Sequence, residues 1–267
     1  MTRRMRGALL LVGALVVIAG SVALFTNVGT SANKAQLVVF VGSASKPPMT
    51  EAKQAYQKSH PGVTIEMTFG GSGTLLNQIV LEKIGDVYVP GSDDFMDKAA
   101  KQQAIVPATR KILAYLVPVI NVQHGNPKNI RSLSDLARPR VRVGLAKAGA
   151  VCLGDVSDEI LKKAGVEAQV KKNVLTYTGS CEQTQQLVQL GEVDAIIGWD
   201  SFKAWAPDRI DNVRIPAKLI RVRNVPAAVV TYSKQRKAAA EFVNFLASKQ
   251  GKAIFSKHGY STEPPRI

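Results

Sequence analysis

The sequence predicts an α/β protein divided into two lobes, and three observations carry this prediction. Apolar strand-like runs alternate with helix-like runs from residue 36 to residue 100, and again from residue 141 to residue 197. The stretch between the two series, Lys111 to Val122, is a long strand-like run that contains Pro118. Because proline inside an extended run suits an edge or a crossover, we expect the chain to cross between the lobes there. The repeated strand–helix pattern predicts a mostly parallel sheet flanked by helices in each lobe.

The first series consists of three strand–helix units. Apolar residues at period two or in short continuous runs indicate the strands, and apolar residues with the spacing of one helical face indicate the helices. Pro47 and Pro48 suit the first turn of a helix, and Gly85 ends another. The predicted strands are Gln36–Val41, Val63–Phe69 and Asp86–Val89, and the predicted helices are Met49–Ser59, Leu75–Ile84 and the stretch that Asp93 can cap.

A glycine-serine turn, Phe69 to Leu75 (FGGSGTL), joins the second predicted strand to its helix. Glycines allow backbone N–H groups to face outward here, and a helix start adds unpaired donors and a partial positive charge. An anion seat and a plain turn with an N-cap serine both fit this stretch taken alone. A second hydroxyl-rich turn, Gly42 to Ser45, follows the first predicted strand.

The second series repeats the pattern with predicted strands at Val141–Leu145, Val174–Tyr177 and Val193–Ile197. The turns 146–154 and 178–181 lead from these strands into helices. Residues 219–232 then return as extended chain, and a helix from Lys234 to Ala247 precedes a last turn. Since ligands bind at the carboxyl ends of the strands in such sheets, the turns of both lobes are the expected place for a ligand.

Composition limits the classes of function. The 267 residues are 46% hydrophobic, which is too low for a polytopic membrane protein, and the formal net charge is +15. The basic residues are spread along the chain instead of forming the clustered runs of a nucleic-acid arm. Aromatic residues make up only 6% of the chain, so stacking platforms for single strands are not expected either. We therefore expect no nucleic-acid partner.

The first residues have the pattern of an export signal. Arg3, Arg4 and Arg6 precede an apolar run from Ala8 to Phe25, and residues 30–32 resemble a small-residue cleavage site. The apolar run is longer than that of most signals, so an uncleaved anchor is the alternative to a cleaved signal peptide. We assign residues 1–35 to a signal peptide or N-terminal anchor, and expect the rest of the chain to be periplasmic or otherwise extracytoplasmic.

Two cysteines, Cys152 and Cys181, lie in the part expected to be exported. An even number of cysteines in an oxidising compartment favours a disulfide, and two separate buried thiols are the alternative. The three histidines lie far apart in sequence and there is no CxxC pair, so no metal site is predicted. The glycine-serine turn departs from the G-x-S-x-G nucleophile pattern at Thr74, and we do not expect an enzyme.

An ordered set of stretches resembles the periplasmic molybdate-binding proteins of ABC transporters, and the resemblance covers nearly everything after residue 36. These stretches are VVFVGSAS from Val38, FGGSGTLLNQI from Phe69, GDVYVPGSDDFMDKA from Gly85, GEVDAIIGW from Gly191 and GKAIFSKHGY from Gly251. The resemblance implies the type 2 periplasmic-binding fold with two crossover strands. It places residues 36–116 plus 222–267 in the first lobe and residues 117–221 in the second.

The resemblance also implies a function, a partner and a site. The implied function is capture of molybdate or tungstate between the lobes, by a monomer that needs no cofactor and delivers its ligand to a membrane permease. Hydroxyls and backbone N–H groups from both lobes hold the oxyanion in that family. Carried over position by position, the implied ligand-binding residues are Ser43, Ser45, Ser72, Gly73, Leu153, Cys181 and Trp199.

Three features of this chain leave alternatives open beside the implied site. Trp199 stands where the family has a tyrosine, so an indole N–H would replace a phenol. Cys152 and Cys181 both fall at implied ligand turns, where a disulfide would tie two loops of the second lobe together. Carboxylates hold tungstate in some relatives, so Asp155, Glu182 and Asp200 are alternative ligands. Sulfate, phosphate or an organic anion remains the alternative to molybdate.

Overall fold

The structure is a computed structural model that describes residues 35–266, and these residues fold into two five-stranded sheets with helices packed against them. The strands of this part of the chain are β1 (Ala35–Gly42), β2 (Val63–Gly70), β3 (Val87–Val89), β4 (Lys111–Leu116), β5 (Pro118–Gln123), β6 (Val143–Ala146), β7 (Val174–Thr178), β8 (Ala195–Trp199), β9 (Ile210–Arg214) and β10 (Arg223–Val229). Its α-helices are α1 (Lys46–Ser59), α2 (Ser72–Glu82), α3 (Asp93–Lys101), α4 (Cys152–Lys163), α5 (Glu167–Lys171), α6 (Cys181–Gln189), α7 (Phe202–Trp205), α8 (Arg236–Ala247) and α9 (Lys249–Lys257).

The two sheets have the same topology. The first has the strand order β2-β1-β3-β10-β4, and the second has the order β7-β6-β8-β5-β9. In the first sheet β1 pairs in parallel with β2 and β3, while β10 pairs antiparallel with β3 and β4. In the second sheet β6 pairs in parallel with β7 and β8, while β5 pairs antiparallel with β8 and β9. The predicted two-lobed α/β architecture is confirmed.

The predicted mostly parallel sheets are mixed sheets in which four of the five strands run in one direction, because β10 in the first sheet and β5 in the second pair antiparallel with both of their neighbours. The antiparallel strands are the ones that connect the lobes. Strand β5 enters the second sheet from the first lobe, and β10 enters the first sheet on its return from the second. Each arrives from the opposite side and therefore runs against the strands of its own βα units.

Two crossovers join the lobes, as predicted. The first is very short, because β4 ends at Leu116, β5 begins at Pro118 and only Val117 separates them. The second runs from residue 215 to residue 222 between β9 and β10. Pro118 is the first residue of its strand, a position where the missing N–H of proline is tolerated.

Helices cover both faces of the first sheet, because alternate residues of β1 face opposite sides. Val39 and Val41 lie in one buried cluster, which also contains Met49 of α1. Phe40 lies in a second cluster with Ile79 of α2. A strand buried on both faces reads as a continuous apolar run, which is the pattern of residues 37–41. This packing fixes where the turn after β1 emerges from the sheet.

The predicted signal peptide or anchor, residues 1–35, lies almost entirely outside the described residues. Within residues 35–266, no helix combines the length and the apolar character needed to cross a membrane.

Candidate functional site

The turns that follow β1 and β2 meet turns of the second lobe across a closed cleft. The N–H of Gly73 donates to the carbonyl oxygen of Ala150 at 2.9 Å, and the N–H of Thr74 donates to the same oxygen at 3.3 Å. The N–H of Glu182 in α6 donates to Ser43 Oγ at 3.3 Å. These contacts lie at the carboxyl ends of the parallel strands, where α/β sheets bind their ligands.

Gly71 and Gly73 let the lobes approach backbone to backbone. A Cβ on Gly71 would lie 2.8 Å from the carbonyl oxygen of Gly179 in the second lobe. A Cβ on Gly73 would overlap the carbonyl oxygen of Gly149. Since no side chain fits at either position in the closed arrangement, the glycines on both sides of the turn's serine have a steric explanation.

Ser43 and Ser72, two of the predicted ligand residues, are buried and anchored by backbone groups. Ser72 Oγ accepts a hydrogen bond from the N–H of Gly91 at 3.0 Å, and Ser43 Oγ accepts from Glu182. A hydroxyl has one proton to donate besides its two acceptor lone pairs. The N–H groups therefore fix both oxygens and leave both hydroxyl protons able to donate.

Three buried polar atoms in this region have no oxygen or nitrogen atom as a hydrogen-bond partner within residues 35–266. They are Ser45 Oγ, Ser92 Oγ and Trp199 Nε1, and all three residues are 0% exposed. An unpaired buried donor costs about 1–3 kcal/mol, so such groups call for an explanation such as a bound molecule. All three can donate a hydrogen bond, and the indole can only donate.

The two cysteines lie at the centre of this group. Cys152 and Cys181 are the first residues of α4 and α6, and both are buried. Their side chains adjoin each other, the hydroxyl of Ser92 adjoins Cys152, and the indole of Trp199 adjoins Cys181. The thiol pair thus separates two of the unpartnered donors, one from each lobe.

Both cysteines are free thiols in the structure, so the disulfide expected from the sequence is not formed there and stays a prediction. The proximity of the two side chains lowers the pKa of Cys152, since the neighbouring Cys181 stabilises its thiolate. The same contact, together with burial, raises the pKa of Cys181 well above its usual range. Cys152 is therefore the thiol of the pair that ionises first.

The three carboxylates considered as alternative ligands are each bound to protein groups. Asp155 Oδ1 accepts the N–H of Gly149 at 2.6 Å, and its Oδ2 lies 3.2 Å from Lys98 Nζ. Glu182 Oε1 lies 2.8 Å from Lys46 Nζ. These pairs neutralise both carboxylates at the edge of the cleft.

Asp200 has a different role from the one considered for it. Its Oδ1 accepts the N–H of Val117 at 3.1 Å and of Ser201 at 3.0 Å, so the carboxylate holds the first crossover. Burial raises the pKa of Asp200 to about 6 in spite of these hydrogen bonds. Asp200 therefore belongs to the hinge rather than to the anion-facing part of the cleft.

Ion pairs link the lobes around the cleft. Lys46 and Lys98 of the first lobe pair with acids of the second lobe as described above. Arg223 of β10, whose side chain is buried, lies between Asp94 of α3 and Glu159 of α4. Because its partners belong to both lobes, Arg223 makes a buried charge bridge in the closed state.

Two predicted backbone donors have partners in this structure. The N–H of Gly73 is bonded to Ala150, and the backbone of Leu153 contacts the Cys181 thiol, where it offsets a small part of the rise in pKa caused by Cys152 and burial. The serines, Cys181 and Trp199 lie in the same interlobe region as these groups. Within the described residues, no histidine and no unpaired carboxylate lies among the buried donors.

The sequence interpretation missed three participants. Ser92 lies in the turn after β3, two residues beyond Pro90, and could have been found by the strand-end rule that selected Ser43 and Ser72. Ala150 acts through its carbonyl oxygen, for which a sequence has no signal. Tyr260 donates a hydrogen bond to the carbonyl oxygen of Ala44 and so fixes the turn after β1 from the end of the chain.

Residues 37–261 match the family model described as bacterial extracellular solute-binding protein. The chain belongs to this family. Its members are binding proteins rather than enzymes, and they act outside the cytoplasm. The interlobe donors described above therefore lie in a solute-binding protein, in the region where its two lobes meet.

Individual relatives of this solute-binding protein are themselves binding proteins, in agreement with the family assignment. The molybdate-binding protein ModA of Mycobacterium tuberculosis is 26% identical over 257 residues, which cover 94% of this chain and 96% of the relative. Two solved structures share the type 2 periplasmic-binding fold. The sulfate-binding protein SubI of Mycobacterium tuberculosis superposes with a TM-score of 0.74 at 20% identity, covering 85% of this chain and 86% of that one. The periplasmic molybdate-binding protein of Azotobacter vinelandii gives 0.73 at 16% identity, covering 86% and 100%.

Proposed function

We propose that this solute-binding protein captures a tetrahedral oxyanion, molybdate or tungstate, between its lobes for an ABC importer. The observation that carries the proposal is the group of buried donors without partners, Ser45, Ser92 and Trp199, beside a closed interlobe cleft. A 26%-identical relative named as a molybdate-binding protein supports the choice of oxyanion.

Neutral donors suit a dianion that carries no proton. Several hydrogen bonds and the starts of α2, α4 and α6 spread the charge of a buried anion over local dipoles. A donor-only site has no acceptor for a proton on the ligand, so protonated phosphate leaves an unsatisfied group there. Sulfate has the same charge as molybdate and is smaller, so it is discriminated by size.

We assign the anion contacts to side chains of both lobes. Ser43 and Ser72 retain a hydroxyl proton each after accepting a backbone N–H, and Ser45 and Ser92 have no oxygen or nitrogen partner in the described part of the chain. From the second lobe, Trp199 donates its indole N–H. Leu153 and Cys181, at the starts of α4 and α6, contribute backbone N–H groups when the anion is bound, while Gly73, whose N–H donates to Ala150, holds the lobes together beside it.

Closure follows from differential binding. An anion that contacts both lobes is held fully only when the lobes are together, so its binding shifts the protein toward the closed state. The interlobe ion pairs of Lys46, Lys98 and Arg223 form in that same state and help to stabilise it. The closed protein would then be the form that a permease distinguishes from the empty one.

The remaining parts of the proposal concern location and partners. The chain acts outside the cytoplasmic membrane as a monomer, delivered there or held there by its apolar N-terminal segment. Its partner is the membrane permease of an ABC importer. A relative from Bacillus subtilis described as a substrate-binding lipoprotein of an ABC transporter supports this assignment.

Isothermal titration calorimetry of the purified protein with molybdate, tungstate, sulfate and phosphate tests the proposal. We expect molybdate or tungstate to bind with one site per chain and sulfate to bind at least tenfold more weakly. A preference for sulfate or phosphate would refute the molybdate assignment, and no binding of any of the four anions would refute oxyanion capture. A thermal-shift measurement gives an independent readout, because a ligand of the folded state raises its apparent stability.

A further inference from the structure

A second cavity lies at the crossovers, away from the anion cleft. Its volume is about 790 Å³, within the range of pockets that hold small organic molecules. Val117 and Pro118 of the first crossover form one part of its wall, and Ile215 and Pro216 of the second form another. None of the residues assigned to the oxyanion lines it.

Three guanidinium groups give this hinge cavity a positive charge. Arg131, Arg214 and Arg266 all line it, and within residues 35–266 none of the three makes an ion pair. Arg131 bonds to a neutral amide, with Nε donating to Asn129 Oδ1 at 2.9 Å. A guanidinium presents a fork of N–H donors that matches a carboxylate, sulfonate or phosphate group.

Among the described residues, Asp200 is the one acid that lines the cavity, and it does not balance these charges. Its Oδ1 is engaged by the N–H groups of Val117 and Ser201. Burial raises its pKa to about 6, so at mildly acidic pH the carboxyl group is partly neutral. The cavity therefore combines apolar walls with an excess of two to three positive charges, which is complementary to an anion with an apolar body.

We propose that the hinge cavity is a second ligand site, which takes a small organic anion made of an apolar body and one carboxylate, sulfonate or phosphate group. The apolar body packs on the proline and branched side chains of the crossovers. The anionic group pairs with Arg131 and Arg214, and Arg266 closes the cavity from the end of the described chain.

Occupancy of this site is coupled to the anion cleft, a part of the inference that rests on the proposed function. Both crossovers line the cavity, and hinge closure changes the backbone there, so a ligand that fits one spacing favours one state of the lobes. Asp200 connects the two sites directly, since it holds Val117 and follows Trp199 in the chain. By linkage, each ligand must change the affinity of the other by the same factor.

Anilinonaphthalene sulfonate is a suitable probe, because it has an aromatic body and one sulfonate and becomes fluorescent in apolar surroundings. We expect saturable binding to the purified protein, weakened at least tenfold in the double variant Arg131→Glu/Arg214→Glu. Arg214→Gln, which removes one charge without adding another, should give an intermediate loss. Lys237→Glu reverses the charge of an exposed basic residue on α8, as each substitution of the double variant does at its own site, and should leave binding unchanged.

Four outcomes would overturn the proposal. One is unchanged probe affinity in the double variant, provided that its circular dichroism matches that of the parent. Another is equal affinity for N-phenylnaphthylamine, which has the same body without the sulfonate. A third is binding that appears only after deletion of Ile267, because the terminal carboxylate would then be the occupant. The fourth is an oxyanion that binds the cleft without changing the probe affinity, which would remove the coupling.

The two proposals fail in different ways. The probe titration needs no oxyanion, so a chain that binds none of the four inorganic anions still tests the hinge cavity. Conversely, a cavity that binds no probe leaves the calorimetric result for the cleft intact.

Discussion

The two sides of the interlobe cleft have the same topology and different chemistry. Each side is formed by turns that follow the parallel strands of one sheet. The first lobe presents serine hydroxyls, with Ser72 as its central residue, whereas the second presents the thiols of Cys152 and Cys181 and the indole of Trp199. A thiol is a weak donor compared with a hydroxyl. We infer that the first lobe supplies most of the side-chain donors, and that the second depends more on its backbone and its indole.

The largest expected effect comes from the close backbone contact that both lobes share. Gly73→Ala places a Cβ against the carbonyl oxygen of Gly149 and prevents full closure. We expect at least a 100-fold loss of oxyanion affinity by calorimetry, which corresponds to about 2.7 kcal/mol.

Gly70→Ala is the matched control for this variant. A Cβ at Gly70 meets only the flexible side chain of Leu75, at 3.2 Å, so affinity should stay within about threefold of the parent. If Gly73→Ala bound the oxyanion with the affinity of the parent, closure would not need the close backbone contact between Gly73 and Gly149. The two lobes would then not share this contact as a requirement for binding.

A serine of the first lobe should matter for binding and not for folding. Ser92→Ala removes a buried hydroxyl that has no partner within residues 35–266. We expect oxyanion affinity to fall by about 1–3 kcal/mol, while the free energy of unfolding without ligand is unchanged or higher. Calorimetry and urea denaturation measure the two quantities.

Ser233→Ala should show the opposite pattern, because Ser233 Oγ donates to Asp86 Oδ1 at 2.6 Å in the first lobe. Its loss should lower the free energy of unfolding and leave oxyanion affinity unchanged. If Ser92→Ala destabilised the empty protein and bound the anion normally, Ser92 would be a structural serine.

In the second lobe, Asp200 should affect stability rather than binding. Its pKa is raised from 3.8 to about 6, so the folded protein keeps a proton that the unfolded chain has released. This contribution is fully present below pH 4 and is lost as the pH rises through 6. The amount is about 3 kcal/mol.

Asp200→Asn should remove this pH-dependent contribution to the free energy of unfolding. The difference in that free energy between variant and parent should therefore change between pH 4 and pH 7. Urea denaturation across that range measures it. Affinity for the oxyanion at pH 8 should be unchanged, and a tenfold loss there would return Asp200 to the ligand set.

The smallest effect is expected at the thiols. Cys152→Ser replaces a weak donor with a smaller and stronger one, so we expect oxyanion affinity to change by less than about 1 kcal/mol. A loss of oxyanion affinity larger than that of Ser92→Ala would show that the second lobe, and not the first, supplies the more important side chains. In the same preparation, thiol titration of the denatured, non-reduced parent should find two free thiols. A titration that finds no free thiol would support the disulfide expected from the sequence.

Much of the fold could be predicted from the sequence because its strands are buried on both faces. The short apolar runs at residues 37–41 and 195–197 predict buried strands. Pro118, inside an extended run, predicts the crossover. Strand β9 was missed. Its residues Ile210–Arg214 (IDNVR) are mostly polar, because an edge strand buries little, and the pairing with β5 defines it instead.

The candidate site was predictable where side chains follow strands, and not where the backbone acts. Ser43, Ser45 and Ser72 were found by that rule, and they are buried in the interlobe region. The carbonyl oxygen of Ala150 was not found, since its contact depends on how two lobes meet. The cysteine count indicates a compartment, and it does not decide whether two adjacent thiols are oxidised.

The single residue between β4 and β5 limits how this protein can open. Consecutive Cα atoms are 3.8 Å apart, so the ends of these strands remain within about 7.6 Å whatever the lobes do. The second connection, residues 215–222, has slack that the first lacks. Separation of the lobes must therefore be a rotation about Val117 and not a translation. In such a rotation, atoms near the hinge at Val117 move least and atoms at the far rim of the cleft move most.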